Sequence, residues 1–511
     1  MAVSSNPDRV ALVSGDRRLT VGELNALADG GAGVLAASGA RSVAYVGTGG
    51  VMLPLLIFSS ARAGLPFTPL NYRLSGAALC ELIERLEDPL VVCDSEYCDI
   101  AHSAGAKVIE SDAFLDEARA AEPVSLFPDP DDVAILLFTS GTTSRPKAVE
   151  LSHGNLTSYV TGTVEFDSAA PGDAALICVP PYHIAGVGAA LSNLYAGRKM
   201  VYQCTFDPKD WVGLVIRESV TNATVVPTML NRIVSELESS PASIPTLRSL
   251  AYGGSKVALP LLRKALELLP DVGFVNAYGL TETSSTIAVL TPEDHRAALQ
   301  ATDEAVGKRL GSVGQPVPGI EVQIRGEDGA VLGPGQTGEL FVRGAQVSGR
   351  YAEIGSVLDE HGWFPTKDSA MVDADGYLFI TGRSDDTIIR GGENVAPAEV
   401  EDVLVEHPSV REVAVVGVED PEWGQIITAV VVPEEGATAD PEALRDYVRK
   451  TLRGSRTPDW VVFRDQLPVT PTGKVLRREL VDDLTGRRAG SVTTRRGNDD
   501  QDGYAPAQPG L

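Results

Sequence analysis

Short apolar runs alternate with helix-like segments through the first half of the chain. The runs are SVAYVG (42–47), AILLFT (134–139), ALICVP (175–180), ATVVP (223–227) and VGFVNAYG (272–279). Continuous apolar runs between helices are typical of parallel strands that are covered on both faces. The pattern therefore predicts an α/β fold whose large N-terminal domain contains parallel-type sheets covered by helices.

The pattern changes after about residue 311. Residues 319–344 alternate apolar and polar positions around glycine turns, which predicts an antiparallel β subdomain. Beyond Arg383, strand-like and helical runs predict a small α/β domain of roughly 100 residues. We therefore expect an N-terminal domain over residues 1–384, a C-terminal domain over 385–485 and a disordered tail over 486–511, which lacks an apolar pattern.

Two loops are the predicted ligand sites, because ligands of parallel sheets bind at the carboxyl ends of the strands. They lie at residues 139–147 and 277–282. In FTSGTTSRPK (138–147) a strand leads into a glycine- and hydroxyl-rich loop that ends in a lysine. Successive N–H groups, hydroxyls and one cation suit a polyphosphate, although such a loop taken alone is more often an ordinary turn.

Composition excludes several classes of protein. The chain has 511 residues, 43% of them hydrophobic, which is enough for more than one domain. It contains no apolar run long enough for a membrane span and no signal-peptide pattern at its N-terminus, so a cytoplasmic location is predicted. Its 69 acidic and 43 basic residues give a net charge of −26. That charge and the lack of a basic cluster argue against nucleic acid as a partner.

The cysteines and histidines predict neither a disulfide framework nor a metal site. The five cysteines have no CxxC spacing, and the six histidines are scattered along the chain. We expect all five cysteines to be free thiols in a reducing compartment. They are Cys80, Cys93, Cys98, Cys178 and Cys204.

Six further motifs follow the hydroxyl-rich loop in a fixed order. They are YGLTE (278–282), GEL (338–340), GWFPTKD (362–368), GRSDDTIIRGGEN (382–394), Pro397-x-Glu399 and PVTPTGK (468–474). The ordered set resembles the adenylate-forming superfamily of acyl-CoA ligases, peptide-synthetase adenylation domains and luciferases. The resemblance covers roughly residues 15–482. It implies a two-step reaction in which ATP and an acid form an acyl-AMP, whose acyl group then passes to the thiol of coenzyme A.

The resemblance also implies the residues that bind ATP and Mg²⁺. Those expected to contact the phosphates are Thr139, Ser140, Gly141, Thr142, Thr143 and Lys147. Tyr278 is expected to stack on adenine, and Asp368 and Arg383 to hold the ribose hydroxyls. Thr281 and Glu282 are expected to face the α-phosphate and Mg²⁺, with Glu282 as the metal ligand.

Lys474 is expected to bridge the attacking carboxylate and the α-phosphate. A carboxylate attacks phosphorus against charge repulsion, so cations must neutralise the developing charge. The resemblance places the hinge of a mobile C-terminal lid at Asp385. A swing of the lid would replace Lys474 by the face that carries Gly391 and Gly392. Trp423 matches a position that holds coenzyme A in related ligases, and a half-buried core tryptophan is the equal alternative.

The acyl group is expected to bind beside His183, which matches the family's gate to the acyl pocket and is counted among the catalytic residues. The expected walls of the pocket are Ile184, Ala185, Gly186, Val226, Gly253, Gly254, Ser255, Gly279 and Leu280. Many of these residues are small, which predicts room for a bulky, apolar acid.

The chain departs from the family pattern at three positions in the ATP-handling half of the site. Ser144 and Ala148 replace glycines of the phosphate loop, and Lys367 replaces the glycine of a Thr-Gly-Asp motif. Side chains there can strain or crowd the loop, and the Lys367 cation can either bind phosphate or obstruct the pyrophosphate. One hypothesis is therefore a ligase that is weak at adenylation but competent at thioester formation. It would then depend on a separate adenylating enzyme. The other hypothesis is that the loop tolerates these side chains.

A fourth departure concerns the acceptor of the acyl group. Where the family usually has basic residues that meet the phosphates of coenzyme A, this chain reads RTPD (456–459). The phosphopantetheine of an acyl carrier protein therefore stays open as the acceptor. A third reading, a catalytically silent protein that binds a nucleotide or acyl adenylate, conflicts with the presence of Lys474, Glu282, Asp368 and Arg383.

Overall fold

The computed structural model describes residues 6–139, 146–383, 386–391, 393–437, 439–452, 454–470 and 473–494. The chain divides into two compact units, Met1–Asp385 and Asp386–Leu511, each of which is described by itself. The first unit contains three of the described sheets, and the second contains one.

The first sheet has nine described strands, most of which are parallel. Their order is Gln315–Pro316, Ser285–Leu290, Gly273–Leu280, Ser249–Gly253, Asn222–Val225, Ala174–Ile177, Lys199–Tyr202, Val10–Ser14 and Arg17–Thr20. The central strands pair in parallel, and Ser285–Leu290 returns antiparallel to Gly273–Leu280. The YGLTE motif (278–282) spans the end of the strand Gly273–Leu280 and the turn that follows it.

The second sheet has eight described strands. Their order is Gly355–Ser356, Arg350–Tyr351, Lys147–Ser152, Val133–Thr139, Phe67–Leu70, Ser42–Val46, Pro89–Cys93 and Lys107–Glu110. The five strands from Val133–Thr139 to Lys107–Glu110 are parallel. Lys147–Ser152 is antiparallel to Val133–Thr139 and forms a hairpin with it.

The third sheet is antiparallel and has four described strands, Glu321–Arg325, Thr337–Arg343, Phe364–Val372 and Leu378–Arg383. It has a separate apolar cluster that includes Ile324, Leu340, Val342 and Leu378. The predicted β subdomain and the predicted α/β class are both confirmed.

Helices cover the sheets of the first unit. They are Val21–Ser38, Met52–Ala63, Gly76–Glu84, Cys98–Ser103, Ser111–Ala120, His153–Thr163, Ile184–Ala196, Pro208–Arg217, Pro227–Ser239, Leu259–Leu268, Pro292–Gln300 and Glu304–Lys308. Short 3₁₀ turns occupy Ser95–Tyr97, Thr281–Thr283 and Arg309–Gly311. The helix Val21–Ser38 begins at a capping box formed by Thr20 and Glu23 and ends at Gly39, whose φ is 64°.

The second unit is built on one sheet whose described strands are Glu393–Val395, Ile388–Arg390, Gly424–Pro433, Val410–Asp420 and Trp460–Phe463. The helices Pro397–Leu404, Pro441–Thr451 and Arg477–Thr494 and the 3₁₀ turn Gly454–Arg456 accompany it. The residue predicted to begin a disordered tail, Gly486, lies within the last helix, where Arg487 pairs with Asp483 one turn earlier at 3.0 Å. Residues 495–511 lie outside the described residues.

The prediction of five free thiols is wrong for one pair. Cys93 and Cys98 form a disulfide, because the strand Pro89–Cys93 turns into the helix Cys98–Ser103 with the two Cα atoms 5.7 Å apart. Cys80, Cys178 and Cys204 are free. Among the described residues, no helix combines the length and the apolar character that a membrane span requires.

Candidate active site

Three predicted nucleotide-binding residues meet where the first and third sheets adjoin. The hydroxyl of Tyr278 donates to Asp368 at 2.5 Å, and Nη1 of Arg383 lies 3.5 Å from the other carboxylate oxygen of Asp368. Asp368 and Arg383 are direct partners on neighbouring strands. The structure thus brings together the residues expected to bind adenine and ribose.

The cluster places the Asp368 carboxylate in a buried position beside a phenol and a guanidinium. Asp368 is only 6% exposed. Burial, and next the Asp368 carboxylate, raise the pKa of Tyr278 well above its ordinary value. The phenol therefore stays protonated and donates, and Asp368 remains an acceptor for hydroxyl groups.

Lys367 occupies a β-bulge beside this carboxylate. The register between Thr337–Arg343 and Phe364–Val372 shifts between Glu339 and Phe341, and Lys367 takes a φ of 63°. This left-handed conformation favours glycine. The Lys367 ammonium pairs with Glu339 at 3.2 Å. That ion pair does not support the interpretation that Lys367 obstructs the pyrophosphate.

Replacing Lys367 by glycine is expected to stabilise the protein by about 0.5–1 kcal/mol, because glycine adopts this φ without the steric cost. Urea unfolding followed by circular dichroism measures the change. Lys367→Ala is the matched control, since it removes the ion pair but keeps the unfavourable φ, and it is expected to give no gain. Pyrophosphate release by Lys367→Gly should stay within about twofold of the parent. A tenfold rise would restore the obstruction hypothesis.

Glu282, the predicted Mg²⁺ ligand, is held by Ser348 and Tyr351, which were not among the predicted site residues. The hydroxyl of Tyr351 donates to Oε1 of Glu282 at 2.8 Å. The backbone N–H of Ser348 donates to the Glu282 carbonyl oxygen at 2.9 Å. Burial, and next the charge of Glu282, raise the pKa of Tyr351. This hydroxyl therefore stays a donor and fixes one carboxylate oxygen.

The turn after Glu282 is held by Gln346, which is 4% exposed. Its side-chain amide nitrogen donates to the backbone carbonyl oxygens of Thr283 and Thr286, each at 2.9 Å. Its backbone carbonyl oxygen accepts from the Ser284 hydroxyl at 2.8 Å. These bonds support a turn in which Ser284 has a φ of 55°. Thr281 begins the same turn.

The stem of the phosphate loop is an antiparallel hairpin in which Thr139 pairs with Lys147 and Phe138 with Ala148. The ammonium of Lys147 lies 5.5 Å from the centre of the Tyr351 ring, and Tyr351 in turn contacts Glu282. The predicted phosphate ligands Ser140, Gly141, Thr142 and Thr143, and the departure at Ser144, lie outside the described residues. Ala148 is 2% exposed, and its φ is not positive, so an alanine fits there without strain.

His183 lies at the start of the helix Ile184–Ala196 in an aromatic environment. Its ring centre is 4.6 Å from that of Tyr182, whose ring lies 5.7 Å from Tyr72. Nε2 of His183 is buried without a hydrogen-bond partner among the described residues. Burial lowers the pKa of His183 to about 4, and the charge of Arg73 acts in the same direction. The imidazole is therefore neutral at pH 7.

Because the ordinary pKa of histidine is about 6.5, the unfolded chain binds a proton between about pH 6.5 and 4 that folded His183 does not bind. Stability therefore falls as the pH drops through this window. We expect His183→Phe to lose about 1 kcal/mol less than the parent between pH 7.5 and 5.5. Urea unfolding at both pH values measures this, with the exposed His361→Gln as the control. An equal loss in parent and His183→Phe would contradict the burial of a neutral imidazole.

Three glycines of the predicted acyl pocket lie where neighbouring backbone segments approach closely. A Cβ atom at Gly186 would lie 2.7 Å from the Pro180 carbonyl oxygen, and one at Gly253 would lie 2.2 Å from that of Ala277. At Gly279 the distance to the Ser285 carbonyl oxygen would be 1.8 Å. These glycines allow backbone segments to approach closely, so they are not evidence of free volume for a bulky acid.

The remaining predicted wall residues lie on several elements of the first unit. Ile184 and Ala185 open the helix Ile184–Ala196, and Val226 precedes the helix Pro227–Ser239 and is buried. Gly254 has a φ of 84° and precedes Ser255. Leu280 ends the strand Gly273–Leu280. Val226 and Gly254 directly follow strands of the sheet that contains Tyr278.

In the second unit, Trp423 forms part of an exposed surface. It is 41% exposed, and its ring would lie 2.9 Å from a Cβ at Gly391. The guanidinium of Arg390 lies 4.5 Å from the ring centre of Trp423 and is held by both carboxylate oxygens of Asp459. Trp423 does not belong to the apolar clusters described for this unit. Gly392 and the predicted hinge residue Asp385 lie outside the described residues.

Lys474 is exposed and ends a tight turn of the second unit. Its N–H donates to the Thr470 hydroxyl at 3.0 Å, and its carbonyl accepts from the Thr470 N–H at 2.7 Å. Val469 and Val475 pair across the base of the turn. Because both ends are paired, the turn presents Lys474 at a fixed backbone position within its own unit.

Comparison with known proteins identifies the family. The model of AMP-binding enzymes matches residues 1–352, and that of the AMP-binding enzyme C-terminal domain matches residues 399–474. The chain belongs to the AMP-binding enzyme family. It is 35% identical over 486 residues to a feruloyl-CoA synthase of Amycolatopsis sp., covering 93% of this chain and 96% of the relative. It is 32% identical to the fatty acid–acyl-carrier-protein ligase ScoC of Streptomyces coeruleorubidus, covering 95% of both.

A solved member of the AMP-binding enzymes shares the fold. The o-succinylbenzoate-CoA synthetase of Bacillus subtilis, in complex with its acyl-adenylate intermediate, gives a TM-score of 0.82 at 30% identity. The match covers 94% of this chain and 96% of that one. The same synthetase is known in complex with ATP and magnesium ion. The predicted superfamily and the predicted class, an AMP-forming acid–thiol ligase, are confirmed.

Sequence reasoning missed the residues that support the site of this AMP-binding enzyme. Tyr351 and Gln346 contact Glu282 and its turn, and both follow the GEL motif (338–340) within a short stretch of chain. The aromatic at the end of GRY (349–351) is a local signal that was available. Arg85 and Glu353, which contact the stem of the phosphate loop, have no such signal, because they are 268 residues apart.

Proposed function

We propose that this AMP-binding enzyme converts a carboxylic acid, ATP and coenzyme A into an acyl-CoA through an acyl-AMP. The observation that carries the proposal is the cluster of Tyr278, Asp368 and Arg383, a buried carboxylate fixed by a phenol and a guanidinium. A carboxylate in this setting is a natural acceptor for the two hydroxyls of a ribose.

In the adenylation step, the nucleotide would lie between this cluster and the hairpin that carries Thr139 and Lys147. Tyr278 would stack on adenine, Thr281 would face the α-phosphate, and Lys147 would contact the phosphates of ATP. Lys474 would bring a cation to the attacking carboxylate and the α-phosphate. Each of these groups opposes the charge repulsion that makes the attack slow.

Glu282 fits the predicted magnesium site, because carboxylate oxygens are ligands that Mg²⁺ prefers. The Tyr351 hydroxyl binds Oε1 of this carboxylate and so orients the group. Mg²⁺ bound there would neutralise phosphate charge. The protein contributes the orientation of this carboxylate through Tyr351 and Ser348.

In the thioester step, we propose that the second unit swings about Asp385 and exposes the face of Gly391, Gly392 and Trp423 to the acyl-AMP. The ring of Trp423 is accessible for a pantetheine arm, and Arg390 keeps its orientation. One site would then serve both half-reactions in turn.

Two of the three departures in the ATP-handling half do not support a loss of adenylation. Ala148 adopts an ordinary backbone conformation, and Lys367 pairs with Glu339. We therefore propose that both half-reactions occur, with any bias towards thioester formation resting on Ser144 alone. Such a bias would let the enzyme accept acyl-AMP from a separate adenylating enzyme.

An acyl carrier protein is the second candidate acceptor, and one observation favours it. Arg456, the cation of the segment RTPD (456–459), pairs with Glu393 at 2.8 Å and with Glu399 at 3.2 Å. These ion pairs weaken its attraction for a nucleotide phosphate. The relative ScoC is a fatty acid–acyl-carrier-protein ligase.

The test supplies aromatic and fatty acids, or their synthetic adenylates, together with coenzyme A or a phosphopantetheinylated carrier protein. Aromatic acids come first, because the feruloyl and o-succinylbenzoate relatives are named for aromatic acids. Mass spectrometry of the thioester and pyrophosphate release report the two half-reactions separately. Thioester formed from an adenylate but not from acid and ATP would establish the specialised ligase. No thioester from any adenylate would overturn the proposal.

A further inference from the structure

The hairpin that leads into and out of the loop 140–145 is held by a side chain from a distant helix end. Arg85 follows the helix Gly76–Glu84, and its side chain is 15% exposed. The guanidinium lies 4.6 Å from the centre of the Phe138 ring, and Nη1 donates to the Pro146 carbonyl oxygen at 2.9 Å. Arg85 therefore contacts a residue of the incoming strand of the stem and the residue that follows the loop.

A carboxylate completes the arrangement on the other side of the hairpin. Glu353 forms an ion pair with Arg85, and both of its oxygens lie 3.2 Å from the backbone nitrogen of Ala148, which donates to them. Ala352, which precedes Glu353, also contributes, because its N–H donates to the Ala148 carbonyl oxygen at 2.9 Å. Both backbone polar groups of Ala148 are thus bonded by one short segment.

We propose that Arg85 and Glu353 are positioning residues for the triphosphate of ATP. Together they fix the separation of Phe138, Pro146 and Ala148, and hence the positions of Thr139 and Lys147 between them. The proposal rests on the proposed function, in which Lys147 contacts the phosphates of ATP. Because AMP and acyl-AMP lack the β- and γ-phosphates, the pair acts on the binding of ATP and leaves that of AMP unchanged.

An electrostatic effect and a positioning effect predict opposite changes in ATP binding when the charge of Glu353 is removed. If the pair acted only through its electric field, loss of the Glu353 charge would strengthen the binding of a polyanion, and loss of Arg85 would weaken it. If the pair holds the hairpin in place, both losses weaken the binding of ATP. Removing both side chains should then cost little more than removing one, because the two act as one unit.

The experiment measures the dissociation constants of MgATP and of AMP by calorimetry for the parent, Arg85→Gln, Glu353→Gln and the double variant. Arg350→Gln is the matched control, since Arg350 lies in the same segment, pairs with Glu150 at 2.6 Å and is 63% exposed. We expect each single change to weaken MgATP binding about tenfold and the double change to add less than about twofold. AMP binding should stay within about twofold of the parent in every variant, which also shows that the variants are folded.

The other outcomes overturn the inference in distinguishable ways. Tighter MgATP binding by Glu353→Gln would show a field effect in place of positioning. Unchanged MgATP binding in both single variants, or equal weakening of MgATP and AMP, would remove the positioning role and leave the proposed function intact. A parent that binds AMP but not MgATP would overturn the inference and support the thioester half-reaction alone. A parent that binds neither nucleotide would overturn the proposed function itself.

Discussion

Replacement of Lys474 by alanine is expected to lower pyrophosphate release by at least about 100-fold, because the loss of a preorganised cation at a developing charge costs roughly 3–4 kcal/mol. Acyl-CoA formation from a supplied acyl-AMP should stay within about threefold of the parent, since that step has no attack on the α-phosphate. The paired turn around Thr470 lets the side chain be shortened without disturbing the backbone.

The matched control is Lys450→Ala, which removes an exposed lysine from the last turn of the helix Pro441–Thr451 in the same unit. It should leave both half-reactions unchanged. Equal losses in the two half-reactions of Lys474→Ala would assign Lys474 to folding or to general nucleotide binding. Undiminished pyrophosphate release would remove Lys474 from the adenylation step.

Replacement of Asp368 by alanine should lower both half-reactions, by roughly 100- to 1,000-fold, because ATP and acyl-AMP share the same ribose. Two hydrogen bonds from ribose hydroxyls to a charged acceptor are together worth about 3–4 kcal/mol. The loss also removes the acceptor of the Tyr278 hydroxyl and leaves Arg383 without this carboxylate. Asp368→Asn keeps the shape and one acceptor oxygen, so its loss should be intermediate.

The measurements are pyrophosphate release from acid and ATP, and thioester formed from acyl-AMP and coenzyme A. Asp328→Asn is the control, because Asp328 is an exposed turn residue of the same unit whose carboxylate accepts the Ala330 N–H at 3.0 Å. An effect of Asp368→Ala on adenylation alone would contradict a ribose site. If circular dichroism shows that Asp368→Ala is unfolded, the activities of Asp368→Asn decide whether Asp368 belongs to the ribose site.

The pair of variants separates the two predicted functions of the site. Asp368 belongs to a site that both steps use, and Lys474 belongs to the first step. A protein whose parent form releases no pyrophosphate is a ligase confined to the second half-reaction, provided that Asp368→Ala abolishes thioester formation from acyl-AMP and Lys474→Ala leaves it unchanged.

The sequence by itself determined the fold class and the family. Apolar runs of strand length between helices report burial on both faces of a sheet, which is a local property of the chain. The identities of Tyr278, Asp368 and Arg383 could be predicted because each lies in a short motif whose order is fixed. The resemblance implied that these residues share a nucleotide site, and the structure supplied the contacts of Tyr278 and Arg383 with the Asp368 carboxylate.

Only the tertiary structure decided how the site is supported and where small residues are used. Tyr351 contacts Glu282 across 69 residues, and Arg85 contacts Glu353 across 268. Gly186, Gly253 and Gly279 suggested free volume in the acyl pocket. At each of them, however, a Cβ atom would clash with a neighbouring carbonyl oxygen. The reason is that residue type and local periodicity specify strands and loops, whereas the partner of a side chain depends on which segments the packed sheets bring together.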